Sequence, residues 1–305
     1  MRSTSALFCR LNLACTLSLT AALGPMLSGC AQPPSMQSRR SASAARVGPS
    51  RTVVFIHGMY LTPVSWEKWQ AHFQSKGYRT LAPAWPEHDK PVTEQRQSHP
   101  SPKLAALTLA EVIESYRQVL RTLPEKPVLV GHSMGGLIAQ ILLQEGLGAA
   151  GVAIDSAPPN GVVSLRYSFL KSNWASISPA ASLDEPILLS QADFNYGFAN
   201  CVPEAEQQAA FSRLIVPESR RIGKGPTMDV AKIDYARARP PLLMIAGGED
   251  HSIPPSLNRA NYSKYQTSDS ITDFKEFPGR CHYTLEQRGW EEVADFAIAW
   301  LRDNQ

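Results

Sequence analysis

The stretch Val128-Leu129-Val130-Gly131-His132-Ser133-Met134-Gly135-Gly136 constrains this chain more than any other. An apolar, β-branched run ends in a glycine-flanked serine, and a helical pattern begins at once. The pattern is G-x-S-x-G, in which strand, sharp turn and helix follow one another and leave the serine hydroxyl exposed at the turn. Gly131 and Gly135 suit so tight a turn because they carry no Cβ. The helix start directs unpartnered N–H groups and a partial positive charge toward the serine. One stretch thus supplies a candidate nucleophile, Ser133, and part of an anion site. Taken alone, the five residues also fit a Ser/Gly-rich turn with no chemistry.

The rest of the chain supplies a sheet for that turn. Short apolar runs at 52–56, 80–82, 151–155, 241–246 and 271–277 read as strands. Several lack polar alternation, as strands buried on both faces of a parallel sheet do. Helical periodicity fills 62–77, 104–123, 255–265 and 290–301, while 83–102 reads as a long loop. Between 158 and 240 the pattern breaks down into prolines, aromatics and short helical stretches such as 203–214. Strands alternating with helices imply an α/β protein with a mostly parallel sheet and helices on both faces. The broken region reads as an inserted, mainly helical cap before the strand at 241–246. In such sheets, sites form beyond the carboxyl ends of the strands.

The candidate catalytic residues each follow a strand. His282, after the last strand, is the natural base for Ser133, since a serine hydroxyl is a poor nucleophile until its proton is taken. Asp250, after the preceding strand, is placed to accept a hydrogen bond from that histidine and fix its tautomer. Asp155 is a rival acid, because it too ends a strand, and Glu249 is a lesser one. His57 reads as support for a loop, His132 as part of the turn and His251 as a helix-start residue. His72, His88 and His99 need no special role. Trp174, Phe194 and Tyr196 are candidates for lining an acyl pocket or for packing the cap core.

These residues resemble the α/β-hydrolase superfamily, over roughly residues 52–301. The order Ser133, Asp250, His282 is the superfamily's order, and the elbow matches many of its esterases and lipases. Phe55-Ile56-His57-Gly58 looks like its H-G motif. By that match the backbone N–H groups of Met59 and Met134 would form an oxyanion hole. The resemblance implies hydrolysis of a small-molecule carboxylic ester through an acyl-enzyme, without metal or organic cofactor. Lactones, amides, C–C bonds and peroxide are served by the same triad, so perhydrolase or haloperoxidase activity is the alternative, and a non-catalytic binding protein a further one. Serine at the elbow argues against branches that use a carboxylate nucleophile. The superfamily's usual antiparallel first hairpin has no counterpart here, which leaves sheet size open.

The N-terminus stands apart. A short basic region bearing Arg2 and Arg10 is followed by an uncharged, mostly apolar run that ends in Leu27-Ser28-Gly29-Cys30. This looks like a bacterial lipobox, which implies cleavage before Cys30 and lipidation of its thiol. Ala31 is not acidic, which points to the outer membrane of a bacterial envelope. Residues 32–50 lack large apolar side chains and read as a flexible tether. The expected organisation is a signal peptide at 1–29, lipidated cysteine and tether at 30–50, a hydrolase core at 51–157 and 241–305, and a cap at 158–240. Cys201 and Cys281 remain in the mature chain, where an oxidising envelope permits a disulfide, but their separation in sequence does not establish contact. With a net charge of only +3 and no basic cluster, the chain lacks the footprint of a nucleic-acid binder. Oligomeric state is not legible.

Overall fold

The computed structural model describes residues 50–265 and 269–305. The signal peptide, the lipobox with Cys30 and the tether up to residue 49 lie outside the described residues. Among the described residues, six strands form one wholly parallel sheet: β1 (Thr52–Ile56), β2 (Arg79–Leu81), β3 (Val128–His132), β4 (Ala150–Ile154), β5 (Leu242–Gly247) and β6 (Thr272–Phe277). Their order across the sheet is β2-β1-β3-β4-β5-β6. The elbow strand β3 is therefore central, with Val53↔Val128 pairing on one side and Val128↔Ala150 on the other.

The described residues also form eleven α-helices: α1 (Glu67–Ser75), α2 (Val92–Gln97), α3 (Pro102–Ala106), α4 (Leu109–Thr122), α5 (Met134–Gln144), α6 (Tyr167–Ile177), α7 (Gln191–Gly197), α8 (Glu204–Leu214), α9 (Arg220–Lys224), α10 (Pro255–Tyr265) and α11 (Glu291–Asn304). The strand period of two sorts the apolar side chains between two cores. Val53, Phe55 and Val130 face Trp69 and Phe73 of α1 and Val293 of α11. Val54, Ile56 and Leu129 face the opposite way, toward α4 and α5. Burying each such side chain stabilises the fold by about 1.5–3 kcal/mol. Strands β1, β3, β4 and β5 are buried throughout, as their unbroken apolar runs predict. Edge strand β6 alternates between partly buried and exposed positions and is buried only at Phe277.

Two helical expectations need correction. The periodicity over 104–123 covers two helices, because Leu107 is extended and Thr108 caps α4 with a capping box to Glu111. Such a box satisfies two orphan amides and outweighs the continuous apolar spacing, at about 1 kcal/mol for the cap. The stretch 83–102 also holds α2, whose one buried residue is Gln95, so no apolar stripe announced it. The segment between β4 and β5 carries α6 to α9, a helical insertion above the carboxyl ends of the strands. None of the described helices is long and apolar enough to cross a membrane.

Candidate active site

Ser133 sits at the junction of β3 and α5 with φ 56° and ψ −121°. A non-glycine residue in that region costs of order 1–3 kcal/mol and persists only where its surroundings hold it. Its N–H donates to the Ile154 carbonyl at 2.9 Å, and its own carbonyl accepts from Ala157 and Gly136, each at 2.9 Å. The turn also demands small neighbours. A Cβ on Gly131 would lie 2.0 Å from the Gly135 carbonyl oxygen, and one on Gly135 would lie 2.1 Å from that of Ile56. Strand β1, the elbow and the first turn of α5 are thus in backbone contact.

His282, on the loop after β6, meets Asp250, on the loop after β5. Its Nδ1–H donates to Asp250 Oδ2 at 2.7 Å, and both side chains are buried. The second carboxylate oxygen, Oδ1, accepts from the Ile253 N–H at 2.8 Å. The ring therefore has its tautomer set, with Nε2 left for a reacting proton. Burial disfavours the His282 imidazolium, but the charge and hydrogen bond of Asp250, with a further contribution from Asp155, outweigh it and hold the pKa above 6.5. His132 Nε2–H donates to the His282 carbonyl at 2.9 Å, which ties the histidine loop to the elbow. Burial, helped by the His282 charge, keeps the His132 ring neutral.

Asp155 does not take the acid's place. Its Oδ1 accepts from the Gly247 N–H at 2.6 Å, and its Oδ2 lies 4.0 Å from His132 Nε2 without a hydrogen bond. Desolvation first, then the Asp250 charge, push its pKa up to about 7. Ligand-type atoms of His132, Asp155 and His282 lie within 4.8 Å of one another. A metal there would compete with the Asp250 and carbonyl hydrogen bonds that now orient both rings. Glu249 is exposed, and its N–H donates to the Arg280 carbonyl at 2.8 Å. His251 faces the Tyr196 carbonyl at 3.0 Å and His72 pairs with Asp295.

The loop after β1 lies against the serine. A Cβ on Gly58 would fall 2.8 Å from Ser133 Cβ, so the backbone leading into Met59 passes the nucleophile at contact distance. His57 braces this loop from beneath. Its Nδ1–H donates to the Gly58 carbonyl at 2.9 Å, its Nε2 accepts from the Trp85 N–H at 3.2 Å, and its ring stacks on Trp85. Burial, reinforced by the His88 charge, keeps it neutral. The Met134 amide is the first of α5, a position with no acceptor one turn back.

Met59 and Met134 also border a cavity of about 480 Å³ whose other walls include Val162, Leu165, Phe169 and Ile253. None of Trp174, Phe194 and Tyr196 borders it. Phe194 is fully buried in the cap core against Phe198 and Phe211, Trp174 is 58% exposed, and Tyr196 packs on His251. Phe198 does reach the site, edge-on to the His282 ring with centroids 4.7 Å apart. Sequence reading missed Phe198 and Phe169, since one apolar residue in a cap of irregular helices looks much like another. It also missed His88 and Glu218, both fully buried and facing each other at 3.3 Å. Cys201 and Cys281 form a disulfide.

A parallel sheet with an elbow serine, a buried His–Asp pair and a small-residue loop at its carboxyl edge defines an α/β-hydrolase site. The sequence matches the Alpha/beta hydrolase family over residues 53–296, and the chain belongs to that family. No curated protein has a significant sequence match to it. Among solved structures, it is similar to a monoacylglycerol lipase from Paleococcus ferrophilus, at 18% identity and TM-score 0.59, over 85% of this chain and 97% of that one. It is also similar to tomato methylketone synthase I in complex with 2-tridecanone, at 13% identity and TM-score 0.62, over 84% and 99%. A pyrethroid hydrolase from Sphingobium faniae JZ-2 aligns at 14% identity and TM-score 0.57, over 83% and 98%. At these identities the likeness is one of fold.

Proposed function

We propose that this α/β-hydrolase cleaves carboxylic esters through an acyl-enzyme on Ser133. The observation that carries the reading is the 2.7 Å bond from His282 to Asp250, on a loop tied to the elbow that bears the serine. Ser133 Oγ attacks the carbonyl carbon while His282 Nε2 takes its proton. The Met59 and Met134 N–H groups receive the developing oxyanion, and such donors are worth roughly 3–4 kcal/mol each. The tetrahedral intermediate collapses, and His282 returns the proton to the leaving alcohol. Water, deprotonated by the same nitrogen, then releases the acid and regenerates Ser133. Asp250 stabilises the imidazolium throughout without taking its proton. The apolar cavity beside Met59 and Met134 favours an acyl group of matching character, and the lipase and hydrolase among the similar structures agree with ester chemistry.

A panel of p-nitrophenyl esters of graded acyl length, run with wild type and Ser133→Ala, tests this. Ser133→Ala should lower kcat by at least about 10³-fold with an unchanged melting temperature, and a fluorophosphonate should label wild type alone. Appreciable residual turnover would overturn the mechanism.

We further propose a lipid-anchored location in a bacterial envelope. The support is the lipobox-like Leu27-Ser28-Gly29-Cys30 and a disulfide between the two cysteines of the mature chain, since disulfides persist in oxidising compartments. Cys30→Ser should shift the protein from the membrane to the soluble fraction, and unchanged fractionation would count against lipidation.

A further inference from the structure

A second buried charged pair lies beneath the loop that carries Met59, and neither of its members reacts with substrate in the mechanism above. Glu218 belongs to the helical insertion and is fully buried. Its backbone is fixed by two hydrogen bonds to Ile187, N–H to carbonyl in each direction at 2.7 Å. Two backbone N–H groups donate to its carboxylate, and a histidine faces it at ion-pair distance. Ser219 N–H donates to Oε1 at 2.7 Å, Tyr60 N–H donates to Oε2 at 3.2 Å, and His88 Nε2 faces Oε2 at 3.3 Å. His88 Nδ1–H donates to the Pro86 carbonyl at 3.0 Å, so both ring nitrogens face acceptors. That arrangement calls for the doubly protonated ring. Burial opposes the charge, yet the facing Glu218 carboxylate and the hydrogen bond to Pro86 raise the His88 pKa above its ordinary value.

Tyr60 is what the pair holds. It follows Met59 directly and has φ 63°, a left-handed conformation that a tyrosine adopts only under constraint. The insertion grips it at three points: Glu218 takes its N–H, Val216 N–H donates to its carbonyl at 2.9 Å, and Ser176 Oγ lies 2.7 Å from its hydroxyl. A buried ion pair is seldom retained for stability alone, because desolvation offsets most of its attraction. Here it supplies what an apolar substitute cannot, an acceptor for a buried amide one residue from the oxyanion loop's donor.

We infer that Glu218, charged and held by His88, is a positioning residue that locks Tyr60 in its left-handed conformation and so aims the Met59 N–H at the oxyanion. The inference rests on the acyl-enzyme reading of Ser133 and Met59. If Tyr60 relaxes toward negative φ, the adjoining peptide turns. A displacement of about 1 Å at such a donor is enough to cost two orders of magnitude in rate.

The test is Glu218→Gln, assayed with a p-nitrophenyl ester and with an alkyl trifluoromethyl ketone, which adds to the serine as an oxyanion. Tyr60 N–H and His88 Nε2 both meet Oε2 while Ser219 N–H meets Oε1, so an amide turns its protons either onto Ser219 N–H or onto Tyr60 and His88, and in both orientations the charge that faces His88 is gone. The expected result is kcat lowered about 10- to 100-fold, a fraction of the 10²–10³-fold that one such donor supplies. KM should stay within about twofold, and the ketone's Ki should rise in parallel with the loss in kcat/KM. Unchanged kcat, or a loss of kcat with an unchanged Ki, overturns the inference. If Glu218→Gln does not fold, His88→Gln carries the same readout, and failure of both variants to fold assigns the pair to stability and overturns the positioning role. Fluorophosphonate labelling of wild-type Ser133 is read separately: its absence overturns the acyl-enzyme reading, whereas labelling with an indifferent Glu218 overturns only the inference drawn here.

Discussion

Cys281, the residue immediately before His282, is disulfide-bonded to Cys201 of the helical insertion, 80 residues away in sequence. The same junction carries a second tie, from Tyr283 N–H to the Phe198 carbonyl at 2.9 Å, and the Phe198 ring packs on His282. The candidate base is thus held from both sides, by Asp250 below and by the insertion above.

Removing the bridge should cost both stability and rate. Native disulfides that close loops of this length stabilise by about 2–5 kcal/mol, which corresponds to a fall of roughly 5–15 °C in Tm for a domain of this size. Cys201→Ser should show that fall, and a reductant should lower the melting temperature of wild type but not of the variant. An equal response of both proteins to reductant would show that the bridge does not form in solution.

The two buried aspartates should separate cleanly. Asp250→Asn removes the acceptor for His282 Nδ1–H and should lower kcat by about 10⁴-fold, as loss of the correct tautomer does in other triads. Asp155→Asn leaves that bond in place and should cost less than about tenfold. The reverse ranking of kcat values would transfer the acid's role to Asp155.

Activity and stability should respond to pH in opposite senses. His282 must be neutral to accept the serine proton, so kcat/KM should fall as pH drops through its pKa, which the Asp250 charge and hydrogen bond hold above 6.5 against the effect of burial. Because that pKa is raised in the folded state, the associated stability is present below 6.5 and is lost as pH rises through the folded value. Asp155 works in the same direction. Its folded pKa of about 7 lies above the ordinary 3.8, so the native state holds its proton longer and this contribution to stability declines between about pH 4 and 7. Asp155→Asn should flatten the decline in Tm across that window. It should also lower the midpoint of the kcat/KM profile, since the Asp155 charge helps raise the His282 pKa. A profile whose midpoint lies below 6.5 in wild type would contradict the geometry of the pair.

What the sequence disclosed and what it hid follow from one physical distinction. The candidates Ser133, Asp250 and His282 were legible because each lies on the turn or loop that follows a strand, and parallel strands bring their carboxyl ends to one edge whatever lies between them. Asp250 is preferred to Asp155 in the sequence because Gly247-Gly248-Glu249-Asp250-His251 resembles the superfamily's acid loop, and the 2.7 Å bond from His282 runs to Asp250. The insertion was visible only as a loss of periodicity. Its helices are short and irregularly amphipathic, so Phe198, Glu218 and the partner of Cys281 carried no local signal. His88 was set aside as a loop histidine for the same reason: the carboxylate that buries it comes from 130 residues further along the chain.

The place where the insertion enters the sheet also sets an order of assembly. Strands β1 to β4 lie within residues 52–154 and pair among themselves, whereas the partner of β4 on its other side, β5, paired in register from Gly151↔Leu242 to Ile154↔Ile245, lies across the whole insertion. During synthesis the half that carries the elbow emerges first, with β4 as an apolar edge that has no partner. Unpaired edges of this kind recruit other chains, and parallel pairings of high sequence separation form slowly. The interval between emergence of β4 and arrival of β5 is therefore when a nascent chain is most exposed to aggregation, and chaperone dependence should concentrate there.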